Sequence, residues 1–280
     1  MAKAAIIGAN GFLGRNIAKA HLLQKDEVWA VYHRSSDKVP VGCTLVKESE
    51  IDSVKDIAFD FIYIAIGSHA SKQAEFVQQN IFINQLLYNL QFRKVIFVSS
   101  IAVYGNQENV IELNSPFHAP SIYGQAKLMG EFIVSGKSSY GIIRFTYLYG
   151  PGMSTNSLMP AWVKSAVVNK EIKIFGTGAR VNDYLYIDDA VNLCLAVARS
   201  EGNQIAIGAT GQSVSNADLA KNIKEIVTDT NISFTGEDKS PSFRFDIKKT
   251  TEQLNWKPVV SFKDGLKNLV TQFHADTNLQ

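Results

Sequence analysis

Cysteine is scarce in this chain: two in 280 residues, Cys43 and Cys194. They are far apart and sit among apolar neighbours, which excludes a disulfide framework and suits buried thiols in a reducing compartment. No run reaches the roughly 18 uninterrupted apolar residues of a membrane helix. The opening stretch AKAAII is short and leads straight into a glycine loop, unlike a secretory leader, so a cytoplasmic protein is expected. Blocks of like charge are absent too. The chain carries 28 Lys and Arg against 26 Asp and Glu, a net of +2, which gives no reason to expect nucleic acid or an anionic membrane as partner. His21, His33, His69, His118 and His274 show no H-x-x-x-H spacing, and none flanks a cysteine at zinc spacing. No metal site is expected, and the histidines read as solvated or core residues. Internal repeats and low-complexity segments are missing as well.

What is present is the pattern of an α/β fold. A short strand, AAIIG, precedes glycines and the helix-period stretch LGRNIAKAHLL; a second strand, EVWAVYH, follows. DFIYIAIG and RKVIFVSS are apolar on both faces, as fully covered parallel strands are, and the helical QAEFVQQNIFINQLLYNL separates them. YGIIRFTYLYG is a further strand. Strands alternating with helices predict a doubly wound parallel sheet of the Rossmann type, with ligands at the C-terminal strand edge. After residue 150 the texture changes. MPAWVKSAVVNKE, NADLAKNIKEIV and FKDGLKNLVTQF read as helices, and RVNDYLYIDDAVNLCLAVA as a return to the main sheet plus a helix. The expected division is a dinucleotide-binding domain of residues 1–150 plus about 178–210. A smaller, discontinuous C-terminal substrate lobe takes about 151–177 plus 211–280.

IGANGFLG places Gly8, Gly11 and Gly14 at a strand-to-helix turn. Such a turn lets backbone approach a pyrophosphate at a helix N-terminus, and dinucleotide binding is the expected use. Asn10, Phe12 and Leu13 of the loop, and Ala65 and Gly67 at the end of DFIYIAIG, are candidate cofactor contacts, with His69 near the cofactor's edge. The second strand ends in His33, Arg34, Ser35 and Ser36 with no carboxylate. An acidic residue there would bond a ribose 2′-hydroxyl, whereas Arg34 can pair with a 2′-phosphate. NADP(H) is favoured, and NAD(H) stays open.

SIYGQAK sets Tyr123 four residues before Lys127, on one face of a helix. With GANGFLG, SSIAVYG, YGQAKLMGE, IRFTYLYGPG, IFGTG…DYLYIDD and LNWKP in this order, the chain resembles the extended short-chain dehydrogenase/reductase family of nucleotide-sugar enzymes nearly end to end. Asn80 and Glu131 stand where the family commonly carries Asn and Glu. The resemblance implies that Tyr123 is the acid/base, that Lys127 holds the nicotinamide ribose and lowers the tyrosine's pKa, and that Ser100, rather than Ser99, bonds the sugar oxygen. An ammonium about 5 Å away, at an effective dielectric of about 20, favours phenolate by about 3 kcal/mol before desolvation is counted.

Departures from the family pattern narrow the chemistry. Its 4,6-dehydratases carry Asp and Glu after the serine or threonine, where this chain has Ile101 and Ala102. Its 3,5-epimerase-reductases carry a cysteine at the position of Ile101. Reduction of a 4-keto(-6-deoxy) sugar and 4-epimerisation remain, with reduction favoured and a non-catalytic NAD(P)-binding sensor as the rival class. Tyr147 replaces a common Asn, and Asn182 replaces the arginine that clamps the substrate pyrophosphate. Arg180 is the candidate substitute and Phe175 a candidate neighbour of the base. Asp188 and Asp189 read as helix-capping carboxylates. A homodimer through two helices per subunit is what the resemblance implies.

Overall fold

A computed structural model describes residues 1–67, 73–107 and 109–278; His69 lies outside the described residues. The runs apolar on both faces become the centre of a parallel sheet. They are β1 (Lys3–Ile7), β4 (Ala58–Ile64), β5 (Gln91–Ser100) and β6 (Tyr140–Phe145). With β2 (Glu27–Tyr32), β3 (Thr44–Lys47) and β10 (Gln204–Gly208) they form seven strands in the order β10-β6-β5-β4-β1-β2-β3, every pair parallel. Alternate residues of β1 feed two cores, because successive side chains leave a strand on opposite faces. Ala4 and Ile6 join α1 (Phe12–Leu23) and α5 (Ile187–Arg199), while Ala5 and Ile7 join α2 (Gln73–Asn89) and α3 (Ile122–Ser135). Strand order reverses between β1 and β4, and there the carboxyl ends of the strands open a crevice.

Outside the main sheet lie α4 (Leu158–Asn169), α6 (Asn216–Ile226), α8 (Phe262–Asn278) and the parallel pair β8 (Glu171–Phe175) and β12 (Asn231–Thr235), whose apolar residues share one core with α1 and α5. α7 (Lys248–Leu254) packs against β10. One expectation fails here. RVNDYLY does not return to the main sheet: as β9 (Val181–Tyr186) it lies between β7 (Tyr147–Tyr149) and β11 (Ser213–Ser215) in a separate three-stranded sheet, and β10 closes the main one. The reason sits at Thr146. Its N–H donates to the Gly208 carbonyl and its hydroxyl to the Asp183 carbonyl, so the expected single strand over YGIIRFTYLYG splits at that residue. The buried Asp183 carboxylate then accepts the Thr210 N–H and hydroxyl, both at 2.9 Å. Burial pushes Asp183 up to about 6, and the Thr210 bonds act against that rise.

Asp188 and Asp189 do occupy the first turn of α5, but no side chain caps that helix at Tyr186. Asp189 instead accepts the Val259 and Val260 N–H groups, each at 3.0 Å, and so ties the C-terminal segment to α5. Cys194 is buried and Cys43 half-buried; both are free, and burial pushes both thiols up. His21 is a core residue between Asp26 (2.8 Å) and the Tyr63 hydroxyl (2.9 Å). No helix among the described residues is long and apolar enough to cross a membrane.

Candidate active site

The loop after β1 and the end of β4 meet at the crevice, and glycine is what lets them. Gly8 has φ +88°, and a Cβ there would lie 2.8 Å from the Ala65 carbonyl oxygen; a Cβ on Gly14 would lie 2.2 Å from that of Gly8. A methyl group on Gly8 would force the loop away from the end of β4, and one on Gly14 would push α1 off that loop. Gly11 precedes α1 with no side-chain cap, and the first turn carries no acidic residue. Its free N–H groups therefore suit an anion. Gly8, Asn10, Gly11, His33, Arg34, Ala65 and Gly67 line one cleft of about 700 Å³. Phe12 and Leu13 do not line it: Leu13 is buried, and Phe12 packs on the core beneath the Arg15 guanidinium.

Where β2 ends, Arg34 is exposed. Asn10 fastens this segment to the glycine loop: its Oδ1 accepts the Lys38 N–H at 2.8 Å, and its Nδ2 donates to Asp37 at 3.3 Å. The structure also brings in a residue that sequence reasoning missed. Tyr32 pairs with Lys47, so His33 and Glu48 stand side by side just past the strand ends. His33 Nδ1 lies 3.0 Å from Glu48 Oε2, and both line the cleft. Detecting β3 in CTLVK would have found Glu48, but four residues give too short a periodic signal.

Ser100, Tyr123 and Lys127 do come together. Ser100 ends β5 and accepts the Ala102 N–H at 3.2 Å, and its hydroxyl favours the ionised form of Tyr123. Ser99 points the other way and donates to Glu131 at 2.5 Å. Ser121 accepts the Gly124 N–H and starts α3 against the turn after Ser100; a Cβ on Gly124 would lie 2.2 Å from the Ala102 carbonyl oxygen. Lys127 is buried, donates to the Ile66 and Val98 carbonyls at 2.9 and 2.8 Å, and lies 5.7 Å from the Tyr123 ring centre. A Cβ on Gly67 would be 3.8 Å from both Lys127 Nζ and Tyr123 Oη, so a glycine there keeps the face of the pair open.

The electrostatics differ from the simple Coulomb expectation. Burial pushes the Tyr123 phenol up, with the Ser100 hydroxyl acting downward. Burial also pushes Lys127 down to about 8, opposed by the Glu131 carboxylate. Desolvation penalises both charged forms, so the ammonium does not bring the phenol below its ordinary value. Glu131 itself is paired with Arg144 through two bonds, at 3.0 and 2.7 Å, and Arg144 donates further to the Tyr104 hydroxyl at 2.9 Å. Asn80 donates to the Ala126 carbonyl at 3.1 Å and binds α2 to α3 one residue before Lys127. Ile101 is buried in an apolar cluster with Val103, Tyr104 and Phe245.

Away from that cleft, Phe175 and Arg180 line a second cavity of about 540 Å³ with Trp162, Asn216, Asp238 and Lys239. Arg180 is held there, donating to the Pro241 carbonyl at 3.1 Å and lying 3.8 Å from Asp238. Asn182 is buried, and Tyr147 is 41% exposed with its ring 5.9 Å from that of Tyr184.

Residues 4–208 match the family model described as NAD dependent epimerase/dehydratase family. A dTDP-D-glucose 4,6-dehydratase of Bos taurus is 23% identical over 259 residues, spanning 86% of this chain and 69% of that protein. A putative UDP-glucose 4-epimerase of Methanocaldococcus jannaschii is 30% identical over 206 residues, 66% of this chain and 65% of that one. Among solved structures, a UDP-glucose 4-epimerase of Thermotoga maritima, with UDP-glucose, superposes with a TM-score of 0.88 at 23% identity, covering 98% of this chain and 99% of that one.

Proposed function

Because the chain belongs to the NAD-dependent epimerase/dehydratase family, we propose that it is an NAD(P)-dependent oxidoreductase reducing a 4-keto(-6-deoxy) sugar linked to a nucleotide. The observation that carries this reading is the Ser100–Tyr123–Lys127 group facing the open side of Gly67. The residues present fit the cofactor. In the cleft these are the glycine loop and the N-terminus of α1 for its diphosphate and Arg34 for a 2′-phosphate. Beyond Gly67 it is the buried Lys127, whose ammonium already meets the Ile66 and Val98 carbonyls, for the nicotinamide ribose. When bound, the nicotinamide supplies the hydride. Tyr123 donates its proton to the sugar carbonyl oxygen, which the Ser100 hydroxyl holds in place. The Lys127 ammonium stabilises the phenolate left behind. A phenol that burial keeps protonated suits this donor role.

Residues 1–150 with about 178–210 serve the cofactor in this reading, and about 151–177 with 211–280 the substrate. Arg180 and Phe175 are proposed to meet the carrier's phosphate and base. Elimination of water is not part of the proposal, since Ile101 is turned into the core and Ala102 offers no carboxylate. The second reading, 4-epimerisation, draws support from the 30%-identical relative named as an epimerase.

Nucleotide sugars and their 4-keto derivatives, offered with NADPH or NADH, separate the two. Stoichiometric NADPH consumption with a 4-keto substrate and a single C4 configuration in the product is expected. Interconversion of C4 epimers without net cofactor use would replace the reductase by the epimerase, and binding of cofactor with no turnover of any member would favour a sensor.

A homodimer is proposed through α2 and α3, whose outer faces expose Val77, Ile81 and Tyr88 on one helix and Ile122, Met129 and Phe132 on the other. The face is apolar beyond what a lone surface helix needs. Tyr88→Glu combined with Phe132→Glu is expected to halve the mass measured by light scattering; an unchanged mass would remove these helices from the interface.

A further inference from the structure

Cofactor choice in the proposed site rests on more than Arg34. Three features converge at the adenosine end of the cleft. The first is the β2–β3 register, which carries the chain past Tyr32 and Lys47 and leaves His33 beside Glu48. The second is the contact between them, Nδ1 to Oε2 at 3.0 Å, which restrains a side chain that would otherwise swing free. The third is exposure. The Glu48 side chain is 30% exposed, turned to the same cleft as Arg34, Gly8 and Gly11. Of the other carboxylates nearby, Asp37 is engaged by Asn10 and does not line the cleft, while Glu75 lines it from the first turn of α2 without a β2–β3 neighbour to steer it.

We propose that Glu48, steered by His33, is a specificity-determining residue that opposes Arg34 at the 2′ position of the dinucleotide. This rests on the cofactor site proposed above and deepens it. The dianionic 2′-phosphate of NADP meets a cation at Arg34 and an anion at Glu48 within one cleft; the 2′-hydroxyl of NAD meets a carboxylate able to accept its proton in a hydrogen bond. The carboxylate that many dinucleotide sites carry at the end of the second strand is therefore supplied here from the end of the third. The two side chains pull in opposite directions, so the parent protein discriminates between the cofactors less than Arg34 alone would make it.

The test is titration of purified full-length protein with NAD⁺ and NADP⁺, followed by tryptophan fluorescence or calorimetry, for the parent, Glu48→Gln and Arg34→Ala. Glu48→Gln is expected to shift the NADP⁺ to NAD⁺ affinity ratio towards NADP⁺ by about tenfold, and Arg34→Ala to shift it the other way by a similar factor. Both side chains are surface residues, and a thermal melt checks that each variant is folded. If Glu48→Gln alters the two affinities equally or leaves both unchanged, Glu48 is not a discriminator, while the cofactor site stands. If the parent binds neither dinucleotide, the inference falls together with the functional reading.

Discussion

Replacing Tyr123 by phenylalanine is expected to lower kcat by roughly three orders of magnitude, the scale of a positioned general acid, with cofactor affinity nearly unchanged. The ring keeps its packing, 6.1 Å from Phe76, so the change removes only the hydroxyl and its transferable proton. Single-turnover reduction of a 4-keto sugar, monitored by NADPH absorbance beside a direct cofactor titration, separates the two effects. A variant as fast as the parent would remove Tyr123 from the chemistry. The same residues fix a pH dependence. In the reductive direction Tyr123 must be protonated and Lys127 must be an ammonium. Burial raises the first and depresses the second to about 8, so the lysine titrates first. The rate is expected to be flat at neutral pH and to fall above about pH 8, by up to a decade per unit. The stability linkage runs the other way for this group. A lysine with a depressed folded pKa contributes stability fully above its unfolded value of 10.5, and that contribution is lost as pH falls through 8. Activity near neutrality therefore coincides with the charge state that the fold disfavours.

The parts of this architecture readable from sequence were those whose signal is local. β1, the glycine turn and α1 are contiguous, and the apolar runs of β4 and β5 are long enough to declare a covered sheet. Tyr123 and Lys127 share a helix face by spacing alone, whereas it is the family resemblance that selects Ser100 over Ser99. In the structure strand alternation turns the two hydroxyls apart, Ser99 towards Glu131 and Ser100 towards the Tyr123 side. Pairings across the chain were not readable. Whether VNDYLY belongs to the main sheet depends on Thr146 being claimed by Gly208 and Asp183, two partners from distant segments. Asp189 looked like a cap and binds two amides 70 residues away. Glu48 reaches the cleft only through a four-residue strand. The phenol's direction was misjudged for a related reason, since burial is set by the whole fold whereas the charge partner is four residues off.

The Glu131–Arg144 pair shows how much of the site's geometry depends on such a contact. Both side chains are nearly buried, at 8% and 7% exposure, with Nη2 2.7 Å from Oε2. They join α3, which carries Tyr123 and Lys127, to β6. Arg144→Met would leave the Glu131 carboxylate buried with the Ser99 hydroxyl but without its cation. The expected loss is about 3–5 kcal/mol of unfolding free energy, the range for removing one partner of a buried pair. Urea denaturation measures it, and a Tm lower by roughly 10 °C should accompany it. Combining Arg144→Met with Glu131→Gln takes away the stranded charge, so the double variant is expected to be more stable than the single one. If the double variant is the weaker, the bridge's own attraction outweighs the cost of burying it. Glu131→Gln alone also bears on the chemistry. The Glu131 carboxylate opposes the burial that depresses Lys127, so losing it moves the alkaline limb of the rate profile below pH 8. A variant with an unshifted limb would mean that Glu131 holds α3 in place without tuning the lysine.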